Sequence, residues 1–304
     1  MTGPDNGARW LFAPTPGGTG SATHSPGTRA LGGKGHHLTR LVAAGVTVPP
    51  FVVLTSEAFR DHGASGHVPP DLLAAIREAL TRAGLEGAPL AVRSSAADED
   101  GTVTSFAGQF DTVLGVRWEA GDELASAILQ VWASASSEHA TAYRERSATP
   151  STVDATDAPV PTPNAPPQTT EAAGPAEGAP VPMAVVLQAM VDARVSGVAF
   201  SVDPVLGRRN VAVVSAVRGL GEPLVSGDLD GDTHEVHFDP DDPEAKPKVT
   251  STPRPQPRML RLAPGQAGGT ETVELDPGEA PDPVPSPDQV VEVARMARHL
   301  ARTF

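Results

Sequence analysis

Between Leu90 and Val116 the chain reads LAVRSSAADEDGTVTSFAGQFDTVLGV, a strand–turn–strand that the rest of the fold has to accommodate. The apolar run Leu90-Ala91-Val92 ends in Arg93, Ser94 and Ser95. An acidic turn follows, Asp98-Glu99-Asp100-Gly101, and Ser105-Phe106-Ala107-Gly108-Gln109 leads into a second strand-like run. Arg93 is a planar, permanently charged donor fork suited to phosphate oxygens. Ser94, Ser95 and Ser105 add hydroxyls, and Gly108 lets backbone N–H groups approach a ligand closely. Taken alone, the same residues also suit an ordinary hairpin whose Arg pairs with the neighbouring acids.

A chain of 304 residues can hold two domains or subdomains with a proper core. Gly (30) and Pro (32) together make about a fifth of it, which points to long loops or an unstructured segment. The net charge of −14 argues against a general nucleic-acid binder, which needs a basic face to displace counterions, but it permits a local anion site. There are no cysteines, so disulfide scaffolds, thiolate metal sites and Cys nucleophiles are excluded. No apolar run approaches ~18 residues, and the N-terminus lacks the pattern of a secretory signal, so a cytoplasmic location is expected.

Residues 1–30 read as a flexible arm, with Trp10-Leu11-Phe12 as a candidate edge strand. Leu31-Gly32-Gly33-Lys34-Gly35 then feeds a helix whose apolar face is Leu38, Leu41 and Val42 and whose C′ glycine is Gly45. Free N–H groups, the positive end of the helix dipole and the Lys34 ammonium in one place would make an anion site. The spacing is not that of a Walker A loop, and a lone Lys between glycines also suits plain solvation. His36 and His37 read as exposed first-turn residues.

A buried strand ends at Leu54, and Thr55 or Ser56 is placed to cap a short helix. Amphipathic helices are expected over Asp71–Ala83 and from Asp122 to about Arg146. Residues 149–182, rich in Pro, Ala, Thr and Glu, read as a disordered insertion, because they cannot bury enough apolar surface to offset ordering.

Strands are expected over Met183–Val191, Ser196–Pro204 and Val211–Ala216. His234–Phe238 and Val273–Leu275 read as antiparallel strands separated by a Pro-rich, locally basic loop. His234 and His237 fall on opposite faces of a strand, against a shared metal. Ser286, Pro287 and Gln289 form the capping box of a final helix.

Four blocks in this order, LGGKGHHLTRLVAAGVTVPPFVVLT, AVRSSAADEDGTVTSFAGQFDTVLGV, MAVVLQAMVDARVSGVAFSVDP and GLGEPLVSG, resemble one family. It is the nucleotide-binding domain of phosphoenolpyruvate synthase, pyruvate phosphate dikinase and rifamycin phosphotransferase. The resemblance spans about residues 30–145 and 183–300. It implies an α+β, ATP-grasp-like fold in which two subdomains with mixed and antiparallel sheets, 31–148 and 183–304, clamp a nucleotide.

The resemblance also implies that Lys34 and Arg93 hold ATP phosphates and take part in catalysis. Gly108 and Thr112 would approach the nucleotide, Gln188 would lie near the adenine, and Glu222 is a further polar candidate. ATP and Mg²⁺ are the implied cofactors, with no metal ligand assigned in these residues.

In the family, a PQDIEW-type segment, an LQ-x-R strand and a domain bearing a phospho-accepting His follow. The present sequence stops before them, so the expected partner is a phosphohistidine domain on a separate chain. The expectation is therefore an ATP-dependent phosphotransferase domain. A non-catalytic nucleotide-binding module is the alternative, and a self-standing ATP-grasp ligase is disfavoured for want of carboxylates for two metals.

Overall fold

The computed structural model describes residues 7–14, 27–96, 112–119, 122–134, 183–242, 245–265, 268–276 and 283–304. Its architecture is α+β, in two compact units. The first comprises Met1–Glu86, Ala91–Val113 and Trp118–Gln188; the second comprises Gly87–Leu90, Leu114–Arg117 and Ala189–Phe304. The expected insertion at 149–182, Gly108 and the acidic turn at 98–101 lie outside the described residues.

The first unit is built on a five-stranded sheet in the order β1-β2-β5-β3-β4. Its strands are β1 (Leu11–Phe12), β2 (Phe51–Leu54), β3 (Leu90–Ser95), β4 (Thr112–Val116) and β5 (Ala184–Ala189). β1 is the edge strand expected of the Trp10–Phe12 island, pairing antiparallel with β2. β5 also runs antiparallel to β2, with Phe51 opposite Gln188. Sequence reading had assigned β5 to the second region; the sheet inserts it between β2 and β3. Every residue of β2 is buried, and so are the first five of β5, as befits strands covered on both faces.

The helices of this unit are α1 (Gly7–Trp10), α2 (Thr28–Ala43), α3 (Ser56–His62), α4 (Pro70–Arg82) and α5 (helical residues 123–134). Leu72, Ile76 and Leu80 of α4 and Leu124, Ile128 and Trp132 of α5 are fully buried, at the periodicity read from the sequence. α2 ends as expected at Gly45, whose φ of 75° is left-handed, with the Val46 N–H returning to Leu41. Its beginning differs: helix starts at Thr28, inside the stretch read as an arm, and breaks at Gly32 (φ 68°, ψ 174°) before resuming. Thr55 stands at the N-cap of α3 but makes no capping bond. Its hydroxyl donates instead to the Arg9 carbonyl, 2.8 Å away, fastening α1.

The second unit carries a four-stranded antiparallel sheet in the order β6-β7-β8-β9, formed by β6 (Val195–Phe200), β7 (Val211–Arg218), β8 (Asp232–His237) and β9 (Lys248–Thr252). A separate hairpin joins β10 (Arg258–Leu262) to β11 (Thr270–Glu274). α6 (Glu222–Val225) is a single turn, and α7 (Pro287–Thr303) packs Val290 and Ala294 onto Ala212, Val214 and Val236.

The stretch read as one Pro-rich loop therefore holds two strands. β8 pairs with β9 and β11 with β10, not with each other. β9, Lys-Val-Thr-Ser-Thr, has one apolar residue and alternates exposed with half-buried positions. Without an apolar run it gives no strand signal by itself.

Candidate functional site

The break in α2 is what brings the first candidate cation to β3. At Gly32 the positive φ is the conformation that glycine alone adopts freely. A Cβ there would overlap the carbonyl and hydroxyl of Ser95. The chain thus passes directly against the end of β3. The Gly33 N–H donates to the Ala96 carbonyl at 2.7 Å, and the Gly35 N–H to Ser95 Oγ at 3.1 Å. Ser95 Oγ in turn donates to the Leu31 carbonyl at 2.8 Å.

These bonds correct two sequence expectations. The N–H groups of Gly33 and Gly35 are not free for an anion, because Ala96 and Ser95 accept them. The Ser95 hydroxyl is fully buried and used in the same joint. It holds the site together instead of facing a ligand.

The result is a fixed position for Lys34. Its Nζ donates to the Ser94 carbonyl at 3.0 Å, across 60 residues of sequence. Ser94 is the immediate neighbour of Arg93 in β3. Arg93 is the single exposed residue of an otherwise buried strand. None of the ion pairs among the described residues involves it. A guanidinium is a planar donor fork whose chemistry suits carboxylate or phosphate oxygens.

Alternation along the strands sorts the remaining residues. Ser95 points to the α2 side, and Arg93, two residues earlier, shares that face. Ala184 and Val186 of β5 pack with Leu31 on the same side, so Gln188, two residues on, lies there too. Gln188 is buried and its Nε2 donates to the Pro49 carbonyl at 3.3 Å. Lys34, Arg93 and Gln188 therefore occupy one side of one sheet, on two adjacent strands and the helix above them.

Thr112 opens β4, the other neighbour of β3. Gly108 falls outside the described residues. Glu222 is an exposed first-turn residue of α6 in the second unit. His234 and His237 alternate as expected: His234 is buried between Ser251 Oγ and the Val284 carbonyl, each 2.9 Å away, whereas His237 is half-buried.

Sequence reasoning took Ser95 for a ligand contact and missed its structural role, along with that of Gly32. The signal available was the pair of small-residue motifs, GGKG and RSS, whose close packing only a three-dimensional contact reveals. Among the described residues there is no group of three or more His, Cys, Asp or Glu that could cage a metal. No helix among them is long and apolar enough to cross a membrane.

Comparison with known proteins bears on this arrangement. Residues 63–304 match the family described as pyruvate phosphate dikinase, AMP/ATP-binding domain. The chain is 34% identical to the prodigiosin synthesizing transferase PigC of Serratia marcescens, over 78% of this chain and 27% of that protein. It is 32% identical to a rifampicin phosphotransferase of Streptomyces sp, over 91% of this chain and 32% of that protein. With a phosphoenolpyruvate synthase of Aeropyrum pernix the identity is 31%, over 68% of this chain and 26% of that protein. The chain thus spans about a quarter to a third of the length of these relatives.

Proposed function

This chain belongs to the pyruvate phosphate dikinase AMP/ATP-binding domain family, and from that premise we propose that the α2–β3 joint of its first unit is where the phosphates of ATP are held. The observation that carries the proposal is the Lys34–Ser94 bond, which fastens an ammonium one residue from the exposed guanidinium of Arg93. An anchored ammonium and a neighbouring guanidinium supply what a phosphoryl group needs as it transfers: position, and compensation for charge on its oxygens. In this reading the fold is ATP-grasp-like and Gln188 reads the base. Thr112 and Gly108 line the nucleotide from the β4 side.

Mg²⁺ would be held chiefly by the nucleotide's own phosphates, and the chemistry it would supply is neutralisation of their charge. The described residues offer no cage for it, so nothing in the proposal depends on a protein metal site. The phosphate acceptor is a histidine on a further domain, and the working location is the cytoplasm. Several relatives are named rifampicin phosphotransferase, and the same class of activity is proposed here, with this chain as the ATP-binding part.

Titration calorimetry with Mg-ATP tests the assignment. Lys34→Ala and Arg93→Ala each remove a charge-assisted contact worth about 1.5–3 kcal/mol, a loss of roughly 10- to 150-fold in affinity. Gln188→Ala weakens ATP more than it weakens inorganic triphosphate, since it faces the base. Equal affinity in the wild type and both cation variants ends this reading.

A further inference from the structure

A hydroxyl stands where α2 would have a backbone hydrogen bond. In an unbroken helix the Gly35 N–H donates to the carbonyl four residues back, that of Leu31. Here the Gly35 N–H donates to Ser95 Oγ at 3.1 Å, and Ser95 Oγ donates to the Leu31 carbonyl at 2.8 Å. The Ser95 hydroxyl is therefore inserted into one rung of the helix ladder and bonded to both of its ends. Insertion of a side chain into the ladder is one of the few causes of a sharp helix break, and this one falls beside the non-helical Gly32.

A second rung is open as well, through separate partners. The Arg29 carbonyl accepts from Ser56 Oγ at 2.9 Å, and the Gly33 N–H that a helix would aim at it donates to the Ala96 carbonyl at 2.7 Å. Leu31 and Gly35 nonetheless stay stacked, since a Cβ on Gly35 would lie 3.3 Å from that of Leu31. Leu31 is fixed in the core with Phe51, Val53, Ala184 and Val186. The two ends of its open rung are thus separated by one oxygen atom and can close on each other once that oxygen is removed.

We propose that Ser95 is a positioning residue: by holding the Leu31–Gly35 rung open, its hydroxyl seats Lys34 on the Ser94 carbonyl and so presents Nζ to phosphate. The proposal rests on Lys34 being a phosphate contact. Lys34 directly precedes Gly35, and Ser94 directly precedes Ser95, so the Lys34–Ser94 and Gly35–Ser95 bonds are successive along both segments and move together. A hydroxyl suits the place because it has one O–H to donate and lone pairs to accept. A methyl there offers neither. Leu31 and Gly35 are buried, so their backbone groups then regain partners by closing the helical rung. Closure turns the Gly35 end away from β3 and takes Lys34 off Ser94.

The first test needs no nucleotide. The lysines of the chain are Lys34, Lys246 and Lys248, and the latter two are exposed. The full chain is treated with an acetylating reagent, and the rate at each lysine is read by peptide mass spectrometry, with Lys246 and Lys248 as internal references. Lys34 is half-buried and bonded to Ser94, so it should label slowly in the wild type. In Ser95→Ala it should label about 10-fold faster, the factor that loss of a charge-assisted bond represents. Ser95→Cys fills the same place with a weaker donor and acceptor. Its rate should fall between the two, and it decides the matter if Ser95→Ala does not keep its circular dichroism.

Calorimetry with Mg-ATP is the second test. Ser95→Ala should weaken binding ~10-fold. It should add less than about 2-fold to Lys34→Ala, because a residue that acts through Lys34 then has nothing left to position. A folded Ser95 variant whose Lys34 labels at the wild-type rate overturns the proposal. So does an equal loss of affinity from Ser95→Ala in the wild-type and Lys34→Ala backgrounds, which is what a general loosening of the fold produces. Unchanged ATP affinity in Lys34→Ala overturns the phosphate assignment itself, whereas faster labelling of Lys34 in Ser95→Ala still supports the link between Ser95 and the lysine.

Discussion

The α2–β3 joint proposed as the phosphate site depends on a few small residues whose role is to remove obstacles. Gly32 has a left-handed φ and no room for a Cβ beside Ser95. Gly32→Ala adds backbone strain of about 1–2 kcal/mol to overlap costing another ~1–3 kcal/mol. Urea unfolding should therefore show a loss of about 2–5 kcal/mol in the first unit, and Lys34 should lose its seat on Ser94.

In the second unit, Asp203 gives a pH-dependent counterpart. Its Oδ1 accepts the N–H groups of Leu206 (3.0 Å) and Val205 (2.9 Å), and its Oδ2 accepts Arg208 Nε at 2.7 Å. The Leu206 bond foremost, then the Val205 bond and the guanidinium, hold its carboxyl below the ordinary carboxylate range against the opposing cost of burial. A carboxyl depressed in the folded state binds fewer protons there than when unfolded, so stability rises with pH across the interval between the two values. Its contribution is complete above the ordinary Asp value of about 4 and is lost as pH falls through the lowered one. Melting curves taken below about pH 5 should show Asp203→Asn with a shallower acid decline than the wild type.

Among the elements, α7 follows its sequence most closely. Ser286 is the N-cap, Pro287 takes the first turn, and Gln289 Oε1 accepts the Ser286 N–H at 3.1 Å, completing the capping box. Ser286→Ala should cost about 0.5–2 kcal/mol, read as a lower urea midpoint for the unit that contains α7. Elements whose signal is a period of apolar residues, such as α4, α5 and β7, were legible because burial follows the same period. β9 and β10 were not, because their pairing rests on backbone hydrogen bonds and on cross-strand partners that an apolar period does not mark. Arg261 of β10, for instance, pairs with Glu271 of β11 at 2.6 Å. The start of α2 was hidden for another reason: glycines that end most helices here mark a break inside one.

Taken whole, the chain is an acidic protein, net charge −14, that concentrates cations at one joint. That contrast predicts selectivity between polyanions. ATP at about 100 times its dissociation constant should add ~2.7 kcal/mol to the stability of whatever unfolds with the site, seen as a raised melting temperature. Duplex DNA should give no such shift at about 0.1 M salt, because a net charge of −14 opposes binding to a polyanion along its length. The types of residue at the site could be read from the sequence: a lysine among glycines, an arginine closing an apolar run, a glutamine on a buried strand. So could most of the helices and strands that carry them, since period and capping are properties of a few consecutive residues. Proximity could not. That β5 enters between β2 and β3, bringing Gln188 to the side of Arg93, and that Lys34 reaches Ser94 across 60 residues, follow from strand order and from one glycine break. A strand's neighbour is chosen by the free energy of the assembled sheet, and no local stretch of the chain contains that sum.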